Sequence, residues 1–345
     1  MTSYFDNFSA KNVLIIAEIG VNHNGSVEKA KQLVTEAKKA GANVVKFQLF
    51  KAETLSHQFT PKSNYQKNLD RRESHFLMLK ELEFSKEKHL VLKRYCDEID
   101  ISFATTIYSV EDLNFLSDIK VPFVKLASAD LVDVPLLKEL CNSEIPLIAS
   151  TGMATKIEIE TSVQILEEKS ADFCLLHCTS EYPTPSRHVF LDRMKFISEV
   201  SDNKFGFSDH SIGNTAAVMA VARGARVIEK HFTLNKDDEG PDHQASMNAL
   251  EFKLYVESIR DAQHIIGTGE FFRTFEEENM LKTSRKSLYL KHNLAKGELV
   301  TSDNLYLRRP GNGLNGQFIE RVINKRVSRD LPDNHEIHLD DIQND

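Results

Sequence analysis

Two lysines, four hydroxyl residues, two histidines and several carboxylates recur in one kind of place along this 345-residue chain: the polar end of a short apolar run. Lys46 and Lys125 close such runs, and Thr106, Ser128, Ser150 and Ser208 close others. Ammonium groups ringed by hydroxyl donors suit an anion carrying a phosphate and a carboxylate together. His210 closes Phe-Ser-Asp-His and His231 closes Ile-Glu-Lys-His. Two imidazoles reaching one point, with water and oxygen groups beside them, can hold a divalent ion; Mn²⁺ fits better than Mg²⁺. Glu18, Asp130, Asp209, Glu229 and Asp242 add carboxylates that can move a proton or orient a substrate hydroxyl. Glu229 lies two before His231 and so shares its inward direction. Asp209 reads as a partner holding His210 or a neighbouring lysine. A different chemistry stays open at this point, a Schiff base on Lys46, Lys125 or Lys230.

The runs themselves are strands. They span residues 13–20, 43–48, 100–106, 122–128, 145–151, 173–179, 204–210 and 226–231, and each precedes a helical pattern or a loop leading to one. Such alternation predicts an α/β fold with a parallel sheet. Eight units over roughly 250 residues is the size of a closed (β/α)8 TIM barrel, whose catalytic groups sit where the strands end. The first helix is the clearest: Ser26 caps it, Ala30, Leu33, Val34 and Ala37 form its apolar face, and Gly41 stops it. Helical spacing recurs over 112–116, 136–140, 157–166, 216–222 and 250–266. A long polar insertion at about 51–75 is too long for an ordinary connection, and loops of that length at a barrel's active face often touch substrate.

The pattern changes after Ile266. Residues 1–267 read as the barrel, 268–285 as a linker, and 286–345 as a small, mostly β module, too small to stand alone with ease. The net charge of −8 argues against nucleic-acid binding without excluding a local basic pocket. Cys96, Cys141, Cys174 and Cys178 read as reduced thiols. There is no 18-residue apolar run to span a membrane, and MTSYFDNFSAKN lacks the order of a secretion signal, so a cytoplasmic location is expected.

Read together, AEIGVNHNG (17–25), VKFQ (45–48), STGMAT (150–155), LLHCTSEYPTP (175–185), GFSDHSIG (206–213), IEKHFTL (228–234), GPDH (240–243) and RRPGNG (308–313) resemble the sialic acid synthase family, including its legionaminic and pseudaminic acid members. Any one of these motifs is weak; their order is specific. The resemblance implies a metal-dependent condensation of phosphoenolpyruvate with an N-acetylmannosamine-type sugar. The products are a nine-carbon 2-keto acid and phosphate, released by C–O cleavage. It equally admits a 2,4-diacetamido-trideoxy hexose as acceptor. It implies that Lys46, Thr106, Lys125, Ser128, Ser150 and Ser208 hold phosphoenolpyruvate and that His210 and His231 hold the ion, Mn²⁺ ahead of Mg²⁺ or Co²⁺. Glu18, Gln48, Asn68, Tyr182 and Asp242 are implied to contact the sugar. The C-terminal part is similar to the antifreeze-like (SAF) domain, and Arg309 matches an arginine that the partner chain of a domain-swapped homodimer places over the barrel mouth. Glu18, Asp130 and Asp242 are the carboxylates expected to take part in catalysis. This chain departs from many relatives at Asp130, where a glutamate is usual, and at Ile107-Tyr108, where Pro-Phe is usual. A non-catalytic, sugar-binding reading is the remaining alternative.

Overall fold

In a computed structural model of the chain, which describes residues 3–62 and 74–343, the eight apolar runs form a closed parallel barrel. Its strands are β1 (Leu14–Gly20), β2 (Val44–Leu49), β3 (Ser102–Ile107), β4 (Val124–Leu126), β5 (Leu147–Ser150), β6 (Phe173–Cys178), β7 (Phe205–Asp209) and β8 (Val227–His231). They pair in sequence order, and β8 closes on β1. All residues of most strands are buried, as expected where side chains face either the interior or a covering helix.

Alternation sorts the two sets. Outward residues such as Ile15, Ala17, Val45, Phe103 and Leu175 join the helices in the main core. Inward residues of the lower strands, Leu14, Ile16, Val44, Ala104, Phe123, Ile148, Cys174, Leu176 and Val227, form a separate cluster that Phe5 closes from below. The lower interior is therefore packed solid, and the polar residues begin only above it.

The first helix runs Val27–Lys39, with Ser26 accepting from the Lys29 amide at 3.2 Å. Gly41, just past it, takes φ +97°, a conformation that favours glycine. Helices over Lys86–Glu98 and Arg193–Val200 lack a clear sequence signal. Their inner faces are thin: His89, Leu92 and Cys96 in the first, Met194 and Ile197 in the second. The polar insertion contains the short helix Ala52–Leu55 and ends in the helix His75–Leu82.

The chain divides into two units, Met1–Gly267 and Thr268–Asp345. The stretch read as a linker contains the helix Phe275–Ser284. In the second unit, β9 (Ser287–Leu290) pairs antiparallel with β10 (Leu305–Arg308). Leu288, Leu290, Val300, Leu314, Val322, Val327 and Ile337 form its core. No helix among the described residues is long and apolar enough to cross a membrane.

Candidate active site

Register brings the strand-end groups together. Glu18 pairs with Lys46 on one side and His231 on the other. Thr106 pairs with Gln48 and with Lys125, and Ser208 with Cys178 and Glu229. Their side chains line a cavity of about 220 Å³, together with Ser128, Ser150, Tyr182, His210 and Asp242. Glu18, Lys46, Gln48, Thr106, Lys125, Ser128, Ser150, Tyr182, Ser208, His210, His231 and Asp242 thus converge. Asp130 does not line the cavity; it ends a single turn over Ser128–Asp130, beyond β4. Arg309 is an exposed residue of the second unit. Asn68 lies outside the described residues. Lys230 faces away from the cavity, because it is one residue out of step with His231; its amine pairs with Asp209 instead. This removes it from the Schiff-base candidates.

The cavity also contains groups that the sequence did not single out for it. Val21, Met78, Leu79 and Leu82 make an apolar wall with Tyr108. Three of them come from the helix His75–Leu82, so the end of the polar insertion contributes an apolar face. Cys178, read only as a reduced thiol, is another lining residue. At Gly152, after β5, a Cβ would lie 2.3 Å from Ser180 Oγ and 2.5 Å from Ser128 Oγ, so backbone itself packs against those hydroxyls.

Charge is concentrated around Lys46. Its Nζ lies 2.5 Å from Glu18 Oε2 and 3.7 Å from Glu229 Oε2, and donates to Thr106 Oγ1 at 2.9 Å. Gln48 Nε2 donates to Glu18 Oε1, and Ser208 Oγ to Glu229 Oε1, each at 2.9 Å. Burial opposes charge on every member, but the two carboxylates outweigh it at Lys46, whose pKa is raised. The acids divide. Burial, with Glu229 as a like charge, pushes Glu18 up to about 7 against the pull of Lys46. At Glu229, Lys46 and Lys125 overcome burial and hold the pKa down at about 2. Burial raises Asp242 to about 6 and lowers Lys125. Glu18 can therefore hold or release a proton near neutral pH while Glu229 stays ionised.

The imidazoles of His210 and His231 have ring centres 5.4 Å apart, within the roughly 6.5 Å that two rings sharing one ion can span. The Tyr182 ring lies against His210, centroids 4.0 Å apart and planes tilted by 31°. His210 Nδ1 donates to the Thr179 carbonyl at 2.8 Å, which in the neutral ring leaves Nε2 with its lone pair; against burial, Cys178 and that carbonyl raise the ring's pKa. His231 Nδ1 is buried without a hydrogen-bond partner, 3.9 Å from Asp242 Oδ2. Burial, then His210, holds the His231 pKa far below its usual value, so that ring is neutral, as a ligand must be. Among the described residues, no three His, Cys, Asp or Glu side chains form a metal-holding group. The facing rings, with His231 Nδ1 unpartnered, are the two donors that could hold an ion, whose other positions would fall to substrate and water oxygens.

Asp130 carries a measurable consequence. Burial first, then Asp133, raises its pKa to about 6 from 3.8, against Lys125. The native state then binds this proton more tightly than the unfolded chain does. Its contribution to stability is full below pH 3.8 and is lost as pH rises through about 6. Urea unfolding of Asp130→Asn should lack this decline. The variant should exceed the parent at pH 7 by on the order of 1 kcal/mol, given the carboxyl's partial exposure. Parallel pH profiles of parent and variant would refute it.

Residues 33–271 match the NeuB family and residues 285–343 the SAF domain; the chain belongs to the NeuB family. It is 38% identical over 329 residues to the N,N'-diacetyllegionaminic acid synthase of Legionella pneumophila, covering 94% of this chain and 92% of that one. It is 34% identical over 331 residues to the pseudaminic acid synthase of Campylobacter jejuni, covering 94% and 95%. The family match and the synthase-named relatives make it a phosphoenolpyruvate-dependent sugar-acid synthase. Among solved structures, the N-acetylneuraminic acid synthetase of Leptospira borgpetersenii, in complex with citrate, superposes with a TM-score of 0.68 at 32% identity. That match covers 78% of this chain and 90% of that one.

Proposed function

We propose that the chain condenses phosphoenolpyruvate with the aldehyde form of a 2-acetamido sugar to give a nine-carbon 2-keto acid and phosphate. One observation carries the reading: two buried lysines, ringed by Thr106, Ser128, Ser150 and Ser208, share a cavity with a facing imidazole pair. Lys46, Lys125 and the hydroxyls bind the phosphate and carboxylate of phosphoenolpyruvate. Gln48, Tyr182 and Asp242 orient the sugar, against the apolar wall. A divalent ion, for which we propose Mn²⁺, would be held by His210 and His231 and would polarise the sugar's carbonyl.

C3 of the enol then attacks the aldehyde carbon, forming the C–C bond. Water adds at C2, and the tetrahedral centre expels phosphate by breaking the C2–O bond. The proton lost by water balances the one gained by the aldehyde oxygen. Glu18, whose raised pKa of about 7 supports proton exchange near neutral pH, mediates this transfer. Asp130 can act only through water, since it lies outside the cavity. Much of the rate comes from positioning, because enol and aldehyde must meet in near-attack geometry.

Under this reading residues 1–267 are the catalytic domain, and the protein works in the cytoplasm as a homodimer in which the sugar's acyl group meets Arg309 of the partner subunit. Asn68 completes the sugar contacts. Similarity to the legionaminic acid synthases favours a 2,4-diacetamido-trideoxy hexose as a second acceptor to test beside N-acetylmannosamine. The decisive assay follows phosphate release from phosphoenolpyruvate with each sugar. Expected are one phosphate per 2-keto acid and transfer of a bridging ¹⁸O label into phosphate. Release without any acylamino sugar would overturn the reading, and so would a borohydride-trapped adduct on Lys46 or Lys125, which would establish the aldolase.

A further inference from the structure

Behind the two histidines, on the outer face of the barrel, lies a buried knot of charge that the chemistry above does not use. Asp209 and Lys230 are register partners on β7 and β8. Each sits one residue from a histidine, and alternation turns both outward. Their side chains are 0% and 1% exposed, with Lys230 Nζ 3.3 Å from Asp209 Oδ2. Asp209 Oδ2 also accepts from Tyr255 OH at 2.9 Å, a residue of the helix Ala249–Ile266. Asp209 Oδ1 accepts from Ser211 N at 2.8 Å and from Ser211 Oγ at 2.6 Å. Lys230 Nζ in turn donates to the Ser211 carbonyl.

The connectivity is specific. The residues before and after His210 are both bound to the residue before His231. Neither histidine can shift along or twist about its strand without breaking a buried, charge-assisted bond. Outward positions near most other strand ends are apolar, among them Ile19, Leu49, Ile107, Leu126 and Ala149, while β6 carries His177, bound to the Val189 carbonyl. A buried ion pair is often no more stabilising than a well-packed apolar pair, because both ions lose their hydration. Stability alone therefore gives little reason for charge here.

We propose that Asp209, Lys230 and Tyr255 are positioning residues that hold His210 and His231 at the spacing and orientation required to bind one divalent ion. This rests on reading those histidines as the ion's ligands. The knot fixes the backbone beneath both imidazoles, while the Thr179 carbonyl fixes the His210 ring itself. Side chains that support metal ligands from behind typically change ion affinity 10–100-fold when removed.

The test measures Mn²⁺ binding directly, by titration calorimetry and by the loss of free-ion electron paramagnetic resonance signal, on the full chain. Tyr255→Phe removes one hydrogen bond and keeps the ring. Asp209→Leu/Lys230→Met replaces the pair with apolar groups of similar volume. Expected is a several-fold weakening in the first and about 10–100-fold in the second, with thermal midpoints near the parent's. His231→Ala separates the two readings. If it binds Mn²⁺ like the parent, or the parent binds none, the ligand assignment fails and the proposal falls with it. If His231→Ala loses the ion while both knot variants keep the parent's affinity within twofold, the ligand assignment stands and the positioning role is overturned. Should the double variant not fold, unchanged affinity in Tyr255→Phe still overturns the proposal.

Discussion

The His231→Ala variant should fold, bind phosphoenolpyruvate, and lose turnover by roughly 10³-fold, the equivalent of about 4 kcal/mol of barrier. The expectation follows from how little else the ring does. Its Nδ1 has no hydrogen-bond partner although it is buried, so removing it breaks no hydrogen bond at that atom. Its neutral state, enforced by burial, is of use to an ion and of little use to a substrate anion. The residual rate should not respond to a chelator that silences the parent. Near-parental turnover in chelated buffer would remove the ion from the reaction, and unfolding detected by circular dichroism would show that the ring's role is packing.

The second large effect is at Lys46. Lys46→Met keeps most of the stem and deletes the charge that compensates Glu18 and Glu229. Breaking one side of a buried pair typically costs 3–5 kcal/mol of stability, because the remaining charge is stranded. Affinity for phosphoenolpyruvate should also fall, by at least about 100-fold, or near 3 kcal/mol. The two losses are separable. Adding Glu18→Gln to Lys46→Met removes one stranded carboxylate and should recover part of the stability, measured by urea unfolding, without recovering affinity. A double variant that binds phosphoenolpyruvate like the parent would show that the lysine supports the acids and not the substrate.

Much of this was legible in the sequence because a barrel strand is a simple object. An apolar run with a polar end gives its position, and parity gives its direction. Glu18, Lys46, Thr106, Lys125, Ser208, Glu229 and His231 follow from those two rules. Lys230 could have been excluded by the same parity, since it cannot point inward if His231 does. The helix Lys86–Glu98 was hidden because its buried face includes a histidine and a cysteine among charged residues. The apolar wall from Met78, Leu79 and Leu82 was hidden for another reason. Periodicity can identify an apolar face, but not that the face will close over a polar cavity contributed by distant strands. Cys178 was read as an ordinary interior thiol, and no local signal distinguishes the deeper Cys174 from one two strand-repeats higher.

Phe5 and the apolar layer above it have a consequence for traffic. A cylinder sealed at its base has one doorway. Most of the groups proposed for the anion are more deeply enclosed than the imidazoles: Lys46 and Thr106 are 2% exposed, against 6% and 7% for the two rings, and only Ser128 is partly exposed. Whatever occupies the lower berth must arrive before the upper one is filled, and its remnant must leave after the upper occupant has gone. Under the proposed assignment, entry and exit are expected to queue in a fixed sequence, set by a plug of hydrocarbon at the far end of the barrel.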